Sequence, residues 1–490
     1  MIGDKPIKSG SYSQLGYRSA RKASSEGRSP TSSSGSAHQA NDKERLVSQS
    51  REFMRDNSIY NGMIDKAVSY IIGNGYTLQA QTRSKSWNRR IEAQFKRFWA
   101  NPEVKEILSG FECEAMICRE LLVAGDVGAI KTNKGKFQII ESEQLTSSEY
   151  KDGIQKDSYG KPLSFYVSPW AKGRVDKTQA SPYPEKDFIF VSDPDRPSSI
   201  RSVPPCQSAF PNIHRINDIC DSEALAWQML SRMALQVNRE DASKKAYDIS
   251  GDDTSSNSTG NNADISSRIT ELDYALIFHG EVGEEIKSID RNLPGKDFPQ
   301  SIKMFLRLLG LPLGLPLEIT LLDWNETSFS GSRAVLEQAF TMFRRRQMLI
   351  EKKFHRNIFQ WFVQNQVDNG LIADRSDKFL HTWIHPTFPW IDQLKDSQAW
   401  ATKLDRSFTT QNKAIKSLGD DPDDVLEGRA TEIVNAIDRA NAINEKYKLI
   451  EGFIPVDWRT FAGLKVEGNS NAGKPLGAMA EPKKPEEANT

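Results

Sequence analysis

Apolar residues recur at helical spacing through much of the chain, and the longest such pattern covers residues 332–366. Its apolar positions lie three, four or seven residues apart, a spacing that places them on one face of an α-helix. The opposite face carries polar and basic side chains. The pattern therefore predicts a long helix with one packed face and one basic face. The apolar positions are Leu336, Phe340, Phe343, Ile350, Phe354, Ile358 and Trp361.

Shorter patterns of the same kind predict further helices, and short apolar or alternating runs between turn residues predict strands. Together they indicate an α+β chain. The predicted helices cover 41–56, 58–73, 85–100, 111–123, 204–239 and 298–309, and the predicted strands cover 76–80, 127–132, 137–141, 274–278 and 285–289.

A last helix-rich block is predicted over residues 379–465. Asp421 and Pro422 are typical of a helix N-cap and a first-turn proline, and Asp424 falls where a carboxylate interacts favourably with the helix dipole. We therefore interpret the acidic residues at 420–424 as the start of a helix and not as a cation site.

Three stretches contain too few apolar residues to offset the chain entropy lost on folding. They are a Ser- and Gly-rich, mildly basic arm at 1–40, a polar stretch at 241–267 and a tail at 467–490. We expect both terminal stretches to be disordered.

Composition narrows the classes of function. The 490 residues suggest about three domains, and 65 basic residues balance 65 acidic ones, so no overall basic field attracts nucleic acid or anionic lipid. Four irregularly spaced cysteines predict no disulfide framework. No apolar run resembles a signal peptide, and the apolar stretch at 306–322 is broken by Pro312 and Pro316. We expect a soluble intracellular protein without a membrane segment.

Catalytic and metal-binding motifs are weak. Residues 468–474 spell G-x-x-x-x-G-K, but Pro475 stands where a P-loop needs a Ser or Thr hydroxyl, and no helix can start there. His381 and His385 lie in a segment predicted to be extended, where residues four apart are too distant to chelate one metal ion. We therefore predict no catalytic residue, no metal site and no cofactor.

The basic helix face leaves two interpretations open from local reasoning. It is either a solvated surface or a surface that contacts phosphates without reading bases. The preceding connection at 323–331 is rich in small and polar residues, as expected of a loop that touches a nucleic-acid backbone.

Four segments carry a more specific signal through their order. They are 51–75 (REFMRDNSIYNGMIDKAVSYIIGNG), 119–129 (RELLVAGDVGA), 187–193 (DFIFVSD) and 311–337 (LPLGLPLEITLLDWNETSFSGSRAVLE). In this order, over residues of about 41–450, they resemble the lambda-like family of tailed-phage portal proteins. The chain departs from the family pattern at Phe329, where the family has Tyr, at Gly331, where it has Ser, and in the Ser-Val-Pro-Pro at 202–205.

The resemblance implies a portal-type protomer with a wing, a two-helix stem, a clip, a tunnel loop and a helical crown. Its parts would be the arm at 1–40, the first part of the wing at 41–203, the first stem helix at 204–240, the clip with a polar insertion at 241–290, the second stem helix at 291–317, the tunnel loop at 318–331, the long helix at 332–378, the C-terminal wing and crown at 379–466 and the tail at 467–490.

The resemblance also implies the function: a ring of about twelve copies at one capsid vertex, which passes double-stranded DNA during packaging and ejection. Implied partners are the terminase large subunit, the major capsid or scaffold protein and the head-tail connector proteins, in the virion and in the host cytoplasm during assembly. Alternatives are a non-ring DNA-binding protein, monomeric or dimeric and without sequence preference, or a nucleotide hydrolase. The implied channel-loop residues are Asn325, Thr327, Ser328, Phe329, Ser330 and Gly331, and the residues of the helix that would face the channel or a neighbouring subunit are Arg333, Arg344, Arg345, Lys352 and Arg356.

Overall fold

The computed structural model describes residues 34–237, 269–272, 275–279, 298–324, 328–388, 393–450 and 454–464. These residues form helices and small sheets, which confirms the α+β class. They gather into two compact units, of which unit 1 draws on 1–73 and 93–379 and unit 2 on 74–92 and 380–490. The predicted strand at 285–289, the polar stretch at 241–267 and the tail with its G-x-x-x-x-G-K motif lie outside the described residues.

The N-terminal helices follow the apolar periodicity closely. Helix α1 begins before the predicted residue 41, so the last part of the predicted disordered arm is helical, in keeping with the helix propensity of its alanines and glutamine. Helix α2 is capped by Asn57, whose side-chain oxygen accepts a hydrogen bond from the Tyr60 amide at 2.8 Å. The elements are α1 (Gly35–Asp56), α2 (Ser58–Ile72), β1 (Thr77–Ala80), α3 (Lys85–Trp99) and α4 (Gly110–Val123).

Two three-stranded antiparallel sheets and a short hairpin follow α4 in unit 1. Strand β2 lies between β3 and β9 in the first sheet, and β5 lies between β4 and β8 in the second. Their shared core contains Ile130, Ile140, Phe165 and Phe188, all buried. The strands are β2 (Asp126–Lys131), β3 (Phe137–Ile140), β4 (Ile154–Lys156), β5 (Pro162–Val167), β6 (Trp170–Ala171), β7 (Arg174–Val175), β8 (Ser181–Pro184) and β9 (Phe188–Ser192), with β6 and β7 forming the hairpin.

The single helix predicted at 204–239 is wrong at both ends. The chain first forms a 3₁₀ turn, Pro205–Ala209, then helix α5 (Phe210–Arg232), and then strand β10 (Met233–Val237). Strand β10 pairs in parallel with β12 (Ala275–His279), which also pairs with β11 (Ile269–Leu272), so a non-local pairing overrides helix propensity.

The predicted loop at 318–331 and the helix predicted to start at 332 also need correction. After helix α6 (Phe298–Gly310), a short helix α7 (Leu317–Leu321) occupies the start of that loop, and helix α8 (Phe329–Ile350) already includes its end. A π-helical turn, Glu351–His355, then separates α8 from α9 (Arg356–Asp368). Helix α8 packs against α2, and Phe343, Ile350, Phe354 and Ile358 of the predicted apolar face are fully buried.

Unit 2 is built from the C-terminal helices and one small sheet. Strand β1 pairs antiparallel with β13 (His381–Ile384), which confirms the extended segment predicted around the two histidines. Asp421 caps α12 by accepting from the Asp423 amide at 2.9 Å, so the capping interpretation is confirmed. The helices of this unit are α10 (Gln393–Asp405), α11 (Gln411–Ser417), α12 (Pro422–Tyr447) and α13 (Trp458–Phe461).

Candidate functional site

The first turn of α8 is fixed by a serine at its N-terminus. The Ser328 backbone is extended, with φ −72° and ψ 157°, and its hydroxyl oxygen accepts from the Gly331 amide at 3.2 Å. This is the N-cap geometry that satisfies one of the unpaired amides at a helix start. Ser328 is therefore the point at which the preceding connection ends and the helix begins.

The other end of that connection is fixed by α7. The Lys66 ammonium group, on α2, donates to the carbonyl oxygens of Ile319 at 3.1 Å and Thr320 at 2.6 Å. A cation at these carbonyls satisfies acceptors that the short helix leaves unpaired at its C-terminus. The chain then leaves α7 through Leu322, which is exposed and adopts a left-handed backbone, with φ 56°, that is uncommon for leucine.

The segment before α7 is held by α8 itself. The buried Arg346 guanidinium donates to the Leu313 carbonyl at 3.0 Å and to the Pro312 carbonyl at 2.9 Å. Gly314, with φ +71°, lies so close to α8 that an added Cβ would be 2.8 Å from the Met342 Cβ. Both flanks of the connection between Leu322 and Ser328 are thus anchored to the same helical core.

The predicted loop residues divide between this connection and the helix. Asn325 and Thr327 lie outside the described residues. Ser328 and Ser330 are exposed, with their hydroxyl oxygens 3.3 Å apart. Phe329, Ser330 and Gly331 belong to the first turn of α8, so these three predicted loop residues are helical.

The predicted basic residues of the long helix differ in their partners. Arg333 bonds Glu337 at 3.2 Å along the helix, and Arg345 bonds Asp193, at the end of β9, at 2.7 Å. Arg344 is exposed. Lys352 and Arg356 are also exposed, and neither forms an ion pair with any residue that the structure describes. The structure therefore leaves Lys352 and Arg356 as the unpaired cations of this predicted face.

Sequence patterns did not predict the polar contacts made by the π-helical turn. His355 Nε2 lies 2.7 Å from Glu114 Oε1 on α4, and both side chains are fully buried. The Lys353 ammonium donates to the Ser192 carbonyl at 2.6 Å. A π turn changes the direction in which side chains leave the helix. The side chains of His355 and Lys353 therefore point in directions that differ from those in an uninterrupted α-helix. These contacts hold the middle of the long helix against α4 and β9.

The Gly-Asp junction of segment 119–129 forms a second polar centre, which is buried. Gly125 has φ +88°, and an added Cβ would lie 2.4 Å from the Val203 backbone. Only glycine therefore fits between α4 and the chain around Val203. Asp126 accepts from Arg201 Nε at 2.6 Å and from Ser142 Oγ at 2.6 Å, and it forms an ion pair with Lys43. The motif joins α1, β2 and the segment before α5.

Opposing effects determine the charges at this centre. Burial raises the pKa of Asp126, but the positive charges of Arg201 and Lys43 outweigh burial and hold that pKa below its ordinary value. Burial, together with the Arg201 charge, lowers the pKa of Lys43 to about 7 despite the attraction of Asp126. The carboxylate is therefore charged at neutral pH, and Lys43 is poised between its two protonation states.

The described part of the chain contains neither a metal-binding cluster nor a membrane-spanning helix. No group of three His, Cys, Asp or Glu residues there is placed to hold a metal ion. No helix among the same residues is long and apolar enough to cross a membrane.

Comparison with known proteins gives a consistent family. A model of the family described as phage portal protein, lambda family, matches residues 21–347. The probable portal protein of Halomonas phage phiHAP-1 (isolate -/Gulf of Mexico/-/2001) is 20% identical over 316 residues, which cover 61% of this chain. The matched stretch covers only 59% of that relative's length.

Solved structures with a similar chain include three from gene transfer agent (GTA) particles. The chain in the virion of the native GTA particle aligns with a TM-score of 0.41 and 12% identity, and the chain in the neck of the empty GTA particle, computed with C6 symmetry, aligns with 0.43 and 12%. The chain in the neck of the native GTA particle, computed with C12 symmetry, gives 0.40 and 11%. Each alignment covers 76% of this chain and 93% of the other.

Proposed function

This chain belongs to the lambda family of phage portal proteins, and we propose that about twelve copies form a ring at one capsid vertex, through which double-stranded DNA passes during packaging and ejection. The terminase large subunit, the major capsid or scaffold protein and the head-tail connector proteins are the expected partners. The ring would assemble in the host cytoplasm and remain in the virion. Portal proteins are structural, and we assign no catalytic role.

We assign the parts of the protomer from the resemblance to portal proteins. We place the wing in the sheets and helices of 41–203 and the stem in α5 and α6, within 204–240 and 291–317. The clip would be 241–290, and the crown would be the helices of 379–466. The sequence predicts the tunnel loop at 318–331. We assign it to the shorter connection from Leu322 to Ser328, because α7 ends directly before this connection and α8 begins directly after it.

The anchoring of that connection is the observation that best supports a channel loop. Lys66 and Arg346 fix the chain before Leu322, and the Ser328 cap fixes the chain after it. Because the described residues on both sides are anchored, contacts between this connection and a moving DNA backbone would not disturb the core. Serine, threonine and asparagine form only weak hydrogen bonds to phosphates, whereas a row of cations would bind the DNA tightly and slow its movement.

Deletion of Asn325, Glu326 and Thr327 tests the channel loop and preserves the Ser328 cap. We expect rings of normal size by electron microscopy and a loss of packaged or retained DNA in particles. Thr341→Ala is the control, because Thr341 is exposed in the middle of α8 and its hydroxyl bonds only the helix backbone. Normal packaging by the deletion variant, in rings of normal size, would contradict the assignment.

Charge reversal tests which surface the basic face of the long helix meets. Arg356→Glu removes a cation that has no ion-pair partner in the described structure, whereas Arg345→Glu also breaks the contact with Asp193. Loss of the ring with Arg356→Glu would place this face against the neighbouring subunit. Intact rings with impaired packaging would place it near DNA. Intact rings with normal packaging would reject both roles.

A further inference from the structure

A basic cleft in unit 1 lies outside the predicted channel. It is bounded by α1, by the β6–β7 hairpin and by the segment from Ser142 to Lys156, and its volume is about 700 Å³. Eight of its lining side chains are basic and three are acidic. The cleft therefore carries a local positive charge within a chain whose net charge is zero.

All three acidic side chains of the cleft already have basic partners. Glu143 accepts from Arg51 at 2.9 Å, Asp152 from Lys156 at 2.5 Å and Glu44 from Lys177 at 3.1 Å. Among the other basic residues, Lys43 and Arg201 are paired with Asp126.

Three cations of the cleft remain without a partner. The side chains of Arg55, Lys151 and Arg174 are exposed and form no ion pair or hydrogen bond with any described residue. Trp170, on the same hairpin as Arg174, leaves 47% of its surface exposed at the cleft wall. The cleft thus offers unpaired cations beside an exposed aromatic ring, which suits an acidic segment that also carries apolar side chains.

The chain itself contains such a segment at 418–426, around the junction of α11 and α12 in unit 2. Asp420, Asp423 and Asp424 are exposed, and their carboxylates have no hydrogen bond or ion pair in the described structure. Leu418 and Val425 leave 48% and 41% of their surfaces exposed beside them. The segment combines unpaired carboxylates with exposed aliphatic side chains.

Three carboxylates of this segment also act on Glu92, a half-buried acid of unit 2. Glu92 accepts from the Ala80 amide at 2.6 Å, and burial followed by the charges of Asp421, Asp424 and Asp423 raises the pKa of Glu92 to about 7. The negative charges of the segment therefore add to the effect of burial on this carboxyl group.

A closed ring requires two different, complementary patches on each protomer, because its subunits meet head to tail. We propose that the basic cleft of one copy binds the segment 418–426 of the neighbouring copy. This inference rests on the proposed ring. A DNA backbone is a less suitable occupant, because the three carboxylates and the apolar wall of the cleft favour a polypeptide.

Two complementary charge-reversal variants of the full chain test the contact. The cleft variant carries Arg55→Glu and Arg174→Glu, and the segment variant carries Asp420→Lys and Asp424→Lys. Like charges then face each other at every such contact in a ring of either variant, so we expect ring assembly to need roughly tenfold more protein than for the unaltered chain. Mass photometry and electron microscopy across a concentration series measure this.

Mixing the two variants provides the decisive readout. In an alternating ring, each acidic cleft meets a basic segment and each basic cleft meets an acidic segment, so the mixture should assemble at the concentration of the unaltered chain. Arg45→Glu on α1 and Asp438→Lys on α12 are matched controls, since both side chains are exposed without partners and neither belongs to the cleft or the segment. They should leave assembly unchanged.

Three outcomes would overturn the inference. Rings from each variant at the normal concentration would show that the contact does not exist. A mixture that fails to assemble, with both variants folded by circular dichroism, would show that the two patches do not meet between copies. Absence of rings from the unaltered chain would reject the proposed function together with this contact. If the double cleft variant does not fold, Lys151→Glu replaces it with the same expectations.

Discussion

Replacing Asp126 by asparagine removes the carboxylate that the buried Arg201 and the partly buried Lys43 share at the Gly-Asp junction. Asp126 is fully buried, and besides its pair with Lys43 it accepts from Arg201 Nε at 2.6 Å, from Ser142 Oγ at 2.6 Å and from the Ser202 amide at 3.1 Å. The asparagine has nearly the same shape but leaves Arg201 buried without a counter-charge. Breaking a buried ion pair from one side costs about 3–5 kcal/mol.

For a domain as large as unit 1, a loss of about 3–5 kcal/mol corresponds to a fall in Tm of about 6–10 °C. Differential scanning calorimetry measures it, and hydrogen exchange in β2 assigns the loss to unit 1. Glu337→Gln is the control, because its exposed pair with Arg333 is worth about 0.3–0.5 kcal/mol. Adding Lys43→Met to Asp126→Asn should recover part of the loss, since one of the two cations left without a counter-charge is then removed. A loss below about 1 kcal/mol for Asp126→Asn would refute this reasoning.

Two pH-dependent predictions follow from groups with shifted pKa values. Lys43 has a pKa of about 7 in the folded state and an ordinary value of 10.5, so the unfolded state binds more protons between these two pH values. The free energy of unfolding of unit 1 should therefore rise by up to about 2 kcal/mol from pH 7 to 8.5. Lys43→Met should abolish this rise. Glu92 has a pKa of about 7 in the folded state and an ordinary value of 4.5, so unit 2 should lose stability as the pH rises between these two values. Glu92→Gln should slow hydrogen exchange in β1 at pH 8 and have little effect at pH 4.5. Equal effects at both pH values would contradict the raised pKa of Glu92.

Sequence periodicity located best the helices that bury one continuous apolar face. Helix α2 and the buried face of α8 were predicted because each turn buries residues such as Ile64 and Phe343 at regular spacing. Helix α5 was predicted too long because its end competes with a pairing that depends on β12, some forty residues later in the chain. Local pattern contains no information about that partner.

The anchors of the candidate loop were also beyond sequence reasoning. Arg346 belongs to the helix for which the sequence predicts one basic face, yet its side chain is buried and donates to two carbonyl groups. Lys66 donates to carbonyls some 250 residues later in the chain. Backbone carbonyls have no sequence signature, so neither contact could be anticipated. The Ser328 cap had a local signal, since serine is one of the residues preferred directly before the first turn of a helix.

The basic residues of the long helix illustrate why net charge is a poor guide to what such a protein contacts. Arg346 and Lys353 hold the helix to the rest of unit 1 through carbonyl oxygens, and Arg345 bonds Asp193. Those charges are already satisfied within the fold. Lys352 and Arg356 are exposed without ion-pair partners in the described structure, so they are the charges that remain for a neighbouring subunit or for DNA. A neutral chain can therefore present strongly charged patches, because folding pairs some of its charges and leaves others unpaired on particular surfaces.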